Sequence, residues 1–177
     1  ILEREFDDFH TEAARFLRHA AQLLGPGASL IIGVDLVKDA EVLRAAYNDA
    51  AGVTAEFNLN LLHRMKNELD ADVDVGAFRH YAFYNRERSR IEMHLASIAG
   101  RKIRVCGRTF DFRRGETIHT ENSYKYTPDS FRCLAAGAGE LTRPDVGVVV
   151  RLGFAIGHEG DPLAIGRHSS LPFRRLA

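Results

Sequence analysis

Tryptophan is absent from the 177 residues, and cysteine and methionine occur only twice each. Cys106 and Cys133 are too few for a disulfide scaffold and lack metal-ligand spacing, which excludes the small disulfide-rich folds and suits a reducing cytoplasm. Neither sign of charge is in excess, since 24 basic and 24 acidic residues leave a formal net charge of zero. No overall field then draws the chain to nucleic acid or anionic lipid, and neither is expected as a partner. No apolar run approaches the ~20 residues a membrane helix needs, and no charged start leads into the apolar core of a signal peptide. Internal repeats, low-complexity tracts and a Gly-x-Ser-x-Gly turn for a nucleophilic serine are also missing. Gly25-Pro26-Gly27 is no phosphate cradle, because it follows a helix pattern and precedes a strand pattern, the reverse of the required order. The chain opens with Ile1, runs almost directly into a helix pattern, and reads as part of something longer.

What is present describes an ordinary globular chain, 45% hydrophobic and 27% charged, long enough for one domain. Thr11 can cap a helix whose apolar stripe is Ala13, Phe16, Leu17, Ala20 and Leu24. Ser29 to Asp35 then has the look of a buried parallel strand, so the start follows the rhythm of an open α/β sheet. That rhythm breaks at a second helix, Asp39 to Ala50, followed after Gly52 by a third to about Leu69 with Phe57, Leu61, Met65 and Leu69 in a row. From His80 the period becomes two: Ile91, Met93 and Leu95 alternate with Glu92, His94 and Ala96, and Ile103 with Val105 precede a turn at Gly107. An antiparallel meander of about three or four strands is expected there. Thr127-Pro128-Asp129 starts a last helix, and beyond Glu140 only Val146 to Leu152 reads as a strand.

The densest run of hydrogen-bonding groups is Glu116 to Tyr126, ETIHTENSYKY. In an extended segment side chains two apart share a face, so Glu121 and Ser123 point together, roughly 6 to 7 Å apart, and can grip a small polar ring. The same segment can equally be an exposed, turn-rich linker. His119 and Glu121 would also share a face, and with His63, His80 and His94 elsewhere a metal site can be imagined, but no pair has telling spacing and none is assigned. Tyr47 fits either a ligand contact or a half-buried tyrosine under the next helix, and Met93 is a core residue by pattern.

The blocks GVDLVKD (Gly33 to Asp39), AAYNDAAGVTAEFNLNLL (Ala45 to Leu62), FRHYAFYN (Phe78 to Asn85), RIEMHL (Arg90 to Leu95) and GETIHTENSYKY (Gly115 to Tyr126) carry more specific information. In order and spacing they resemble the bacterial L-histidine Nα-methyltransferases, the S-adenosylmethionine-dependent enzymes that make hercynine for ergothioneine biosynthesis. The likeness runs from about His10 to Ala136. It implies an α/β chain in which residues 1–37 are part of a Rossmann-like methyltransferase core. Residues 38–126 would form an α+β histidine-binding substrate domain, and residues 127–177 would return to the core, diverging after about 140.

By the same resemblance Tyr47 contacts the amino-acid end of the substrate, Glu121 and Ser123 hold the imidazole, and Met93 lines the pocket. An imidazole needs a partner for each ring nitrogen; a carboxylate accepts from N–H, and a hydroxyl can serve the other nitrogen in either state. The sulfonium drives methyl transfer, so the protein need only align an unprotonated amine with the methyl group. Two departures matter. The family's cofactor-binding half belongs before residue 1, which leaves the cofactor-binding residues unknown, and Asp8 stands where the family has a substrate-binding asparagine. A carboxylate there loses the amide donor and repels the substrate carboxylate. The expectation is therefore a C-terminal, inactive piece of a histidine methyltransferase, with a non-catalytic amino-acid-binding module or a non-functional remnant as the rival.

Overall fold

The computed structural model describes residues 9–25, 29–137 and 149–153. Asp8, the last turn around Pro26 and the start of the expected strand at Val146 lie outside them. The chain divides into two compact units, Ile1–Leu36 with Tyr126–Ala177, and Val37–Lys125.

In the first unit, α1 (Phe9–Leu24) packs with α4 (Pro128–Gly137), and β1 (Ser29–Gly33) pairs in parallel with β7 (Val149–Gly153). Helix α1 starts before the expected Thr11 cap, since no proline or glycine interrupts Phe9 to Thr11. Its buried line is Leu17 and Ala21, rotated from the expected stripe, while Phe16 and Leu24 are exposed. On α4 the buried pair is Phe131 and Ala135. Tyr126 packs edge-on to Phe131, at 5.3 Å between centroids, and donates its N–H to the Asp35 carbonyl. A parallel bridge joins Leu36 to Tyr126, so the chain leaves this unit and re-enters it at neighbouring positions.

The second unit is α+β. Helices α2 (Ala40–Tyr47) and α3 (Val53–Glu68) precede five strands: β2 (Phe78–Asn85), β3 (Arg90–Ser97), β4 (Arg101–Val105), β5 (Arg108–Phe112) and β6 (Thr117–Tyr124). Asp39 caps α2 by accepting the N–H groups of Glu41 and Val42. For α3 that role falls to Asp49, whose carboxylate takes the N–H groups of Val53 and Thr54 at 2.9 Å each. The expected single meander is instead a three-stranded antiparallel sheet, β2-β3-β6, with β4-β5 as a separate hairpin between β3 and β6 in sequence. Cys106 and Gly107 turn that hairpin with φ of 48° and 73°, the paired positive angles of a tight two-residue turn.

Both helices pack on the sheet, but the line α3 buries is Asn58 and Leu62, with Met65 half-buried. Phe57, Leu61 and Leu69 of the expected row are exposed. Asn58 displaces them because its amide has work at the sheet: it hydrogen-bonds His80 Nδ1 at 3.0 Å and donates to the His94 carbonyl at 3.1 Å. Leu62 joins Phe78, Leu95 and Ile103 in the larger apolar cluster. Strand β3 is buried on both faces rather than alternating, so Arg90 and Glu92 are interior residues.

Candidate functional site

Tyr47 ends α2, and three contacts fix its place. Its carbonyl accepts from His80 Nε2 at 2.7 Å, and Asn58 braces the other ring nitrogen. The next residue, Asn48, donates from its amide to the carbonyls of Arg44 and Ala82, tying the end of the helix to β2. The Tyr47 ring packs against the cluster of Leu43, Ala82, Ile91 and Met93.

The phenol reaches β6. Tyr47 Oη lies 2.7 Å from Ser123 Oγ, 76 positions away in sequence. Lys125 joins them: its Nζ donates to Ser123 Oγ at 2.6 Å, to Tyr47 Oη at 3.0 Å and to the Ser123 carbonyl at 3.1 Å. The same ammonium sits 4.8 Å from the centroid of the Tyr47 ring, within cation–π range. Lys125 is only 3% exposed. Sequence reasoning passed over it, although it continues the two-residue step of Glu121 and Ser123.

Register places the remaining candidates. Met93 is directly opposite Glu121, and Ile91 is opposite Ser123. Directly opposed residues share a face of the sheet, so Glu121 and Ser123 belong to the face that Met93 and Tyr47 occupy. Met93 is 3% exposed and part of the core there. The Glu121 side chain is exposed, and among the described residues its carboxylate has no hydrogen-bond or ion-pair partner.

His119 does not join them. The β3–β6 register slips between Met93 and His94, leaving Thr120 as an extra residue whose hydroxyl donates to the Met93 carbonyl at 3.0 Å. Beyond this bulge His119 pairs with His94, on the opposite face from Glu121. The imagined pairing of His119 and Glu121 side chains fails for that reason.

That opposite face holds its own polar cluster. Arg90 donates to Glu92 Oε1 from Nε at 2.8 Å and contacts it through Nη2 at 2.6 Å, Asn85 donates to the same oxygen at 2.9 Å, and Arg90 also donates to the Tyr124 hydroxyl at 2.6 Å. Burial pushes the Glu92 carboxyl up, but the hydrogen bonds and charge of Arg90, with Asn85, carry it below the usual range. His94 is moved down, by burial first and by neighbouring His119 second. The two imidazoles stack at 4.4 Å with 15° between their planes. Glu92, His94 and His119 bring ligand atoms within 4.8 Å of one another. Yet imidazole lone pairs lie in the ring planes, so one ion cannot lie in both near-parallel planes, and Arg90 already neutralises the carboxylate. As placed, the two imidazoles do not aim their lone pairs at one common point.

A groove of about 940 Å³ lies elsewhere, beside the β4-β5 hairpin, lined by Gly100, Arg101, Lys102, Asp111, Phe112, Arg113, Arg114 and Glu116. It is wide open and charged of both signs, with Lys102 and Asp111 paired at 3.4 Å, and lacks the enclosed apolar wall of a small-molecule site.

The family profile described as histidine-specific methyltransferase, SAM-dependent, matches residues 7–143. The histidine N-alpha-methyltransferases of Mycobacterium tuberculosis and Mycolicibacterium smegmatis are each 45% identical over 128 residues. Those matches take in 71% of this chain and 40% of each mycobacterial protein. Ergothioneine biosynthesis protein 1 of Neurospora crassa is 32% identical over 144 residues, 73% of this chain and 15% of that protein. The chain belongs to the S-adenosylmethionine-dependent, histidine-specific methyltransferase family. It spans about 40% of the length of its mycobacterial relatives. No helix among the described residues is long and apolar enough to cross a membrane.

Proposed function

We propose that residues 38–126 form the histidine-binding part of an enzyme that methylates the α-amino group of L-histidine to give hercynine, within the reducing cytoplasm. The observation that carries this is the convergence of Tyr47 and Ser123 at 2.7 Å, on the sheet face where Glu121 offers an exposed carboxylate. In this reading Glu121 accepts an imidazole N–H, Ser123 bonds the other ring nitrogen, Tyr47 meets the substrate beside them, and Met93 supplies the apolar floor. The parallel β1-β7 pair with α1 and α4 supports a Rossmann-like core for residues 1–37 and 127–177. S-adenosylmethionine is the second substrate and supplies the methyl group. None of the described residues is assigned to hold it, and Asp8, a substrate neighbour by resemblance, is the weak point of turnover.

Calorimetric titration of this chain with L-histidine tests the reading. Saturable binding with at least tenfold preference over L-phenylalanine is expected. Absent or equal binding of the two would favour a remnant without a histidine site.

A further inference from the structure

The last four carbonyls of a helix have no partner within it, and at the end of α2 one of them belongs to Tyr47. His80 on β2 supplies the missing donor. A carbonyl oxygen carries no proton, so in the 2.7 Å contact His80 Nε2 must donate. The other ring nitrogen, Nδ1, faces the Asn58 amide at 3.0 Å, and the same amide atom lies 3.1 Å from the His94 carbonyl. Only nitrogen suits both contacts. With the amide turned over, its oxygen would meet the lone pairs of the His94 carbonyl, and its NH2 would take the buried place where Oδ1 finds no partner among the described residues. The amide nitrogen therefore donates twice, and Nδ1 accepts with no proton of its own. Turning the imidazole over instead would put carbon at both contacts. His80 is left with one orientation and one proton, on Nε2.

We infer that His80 is a positioning residue of the candidate site: held by Asn58 in one orientation with its proton on Nε2, it caps α2 and so sets where the Tyr47 phenol meets Ser123. What the phenol then serves rests on the histidine reading, whereas the proton assignment comes from Asn58, His80 and two carbonyls alone. His80 pairs with Leu95 and stands two residues before Ala82, so its ring lies on the helix-covered face between the two apolar clusters. Three elements meet there, and each fixes the next: Asn58 of α3 holds the ring on β2, and the ring holds the last residue of α2. Groups that bind a ligand must be placed to within about 0.5 Å, and a tyrosine carries its hydroxyl at the far end of a long side chain, so a tilt of the helix end is enlarged at Oη. A substitute must put its donor where Nε2 is. Glutamine can place an amide nitrogen there; asparagine, one carbon shorter, cannot reach.

Two measurements on the whole chain test this, after circular dichroism confirms that each variant folds. In long-range 1H–15N spectra the wild-type chain should show His80 Nε2 protonated and Nδ1 bare but hydrogen-bonded, and Asn58→Leu should move the Nδ1 resonance toward that of a nitrogen with no donor. A protonated Nδ1 in the wild type, or one that Asn58→Leu leaves in place, overturns the assignment. Position is read from L-histidine affinity and from the Cζ resonance of 13C-labelled Tyr47, a reporter of hydrogen bonding at the phenol. His80→Asn should weaken binding by about tenfold or more, the effect of stranding one carbonyl, and shift the Tyr47 resonance. His80→Gln should bind within about threefold of wild type and leave that resonance close to its original place. Equal effects of the two substitutions, whether large or absent, would reduce His80 to packing and overturn the inference. Absence of histidine binding in the wild type defeats the histidine reading instead, and the contrast between the two variants at the Tyr47 resonance then decides the positioning claim by itself.

Discussion

The two faces of the β2-β3-β6 sheet each carry a polar cluster, and they differ in how completely the groups satisfy one another. Around Arg90 and Glu92 the charges cancel, and Asn85 and Tyr124 add hydrogen bonds within the protein. Around Tyr47, Ser123 and Lys125 the hydroxyls are organised by a cation, one proton and one lone pair are left over, and Glu121 stands exposed nearby in register. A closed network serves folding. An open one leaves bonding capacity for something that arrives, and this difference separates the candidate site from the support behind it.

The largest effect should come from opening the closed face. Glu92→Ala strands the Arg90 guanidinium in the interior and should cost roughly 3 to 5 kcal/mol of stability in urea unfolding. The paired change Arg90→Met with Glu92→Met should recover most of that. A loss below about 1 kcal/mol for Glu92→Ala would show that water already solvates this pair, and the contrast between faces would disappear.

Next comes Glu121→Ala. Removing an exposed carboxylate should leave stability within about 0.5 kcal/mol of wild type. Histidine affinity should nevertheless fall by roughly 1.5 to 3 kcal/mol, because the imidazole N–H loses its charged acceptor. Phenylalanine binding should hardly change. Equal loss for both amino acids would take Glu121 out of the site. Smaller, at about 1 to 2 kcal/mol, is Tyr47→Phe, which removes one of the oxygens that Lys125 and Ser123 use and should register in both unfolding and histidine titration.

Acid sharpens the comparison further. His94 binds its proton less readily when folded than the ordinary 6.5, so the unfolded chain takes up protons first as pH falls. Its contribution to stability is complete above that value and is lost progressively below it. His94→Gln should flatten the stability profile in this window. Asp49 is smaller still, lowered from 3.8 to about 2, first by the Thr54 hydroxyl and then by the Thr54 and Val53 amides. Its contribution is present above pH 3.8 and disappears as the pH approaches 2, so Asp49→Asn should differ from wild type at neutral pH and converge with it in strong acid.

Much of the scaffold was legible because it depends on local chemistry. Asp39 and Gly52 mark helix starts, and Gly107 marks a turn that the structure contains. Tertiary demands account for what was hidden. Phe57 and Leu61 make a better apolar row than Asn58, and only the nitrogen of His80 and the carbonyl of His94 explain why the asparagine faces inward. The bulge at Thr120 carries no glycine or proline to announce it, yet it decides that His119 and Glu121 face opposite ways. Lys125 escaped for a related reason: buried lysines are rare, and its oxygen partners come together only when Tyr47 reaches across from α2.

The bridge between Leu36 and Tyr126 also bears on how the gene can be cut. Paired strands run about 5 Å apart, so a segment entering and leaving through such a doorway has its ends almost touching. Residues 37–125 can therefore be handled as a cassette, excised and replaced by a short glycine linker, or transplanted into a loop of an unrelated host. Termini that meet so closely also permit cyclisation of the excised segment, giving a small ring-closed receptor on which to screen imidazole ligands.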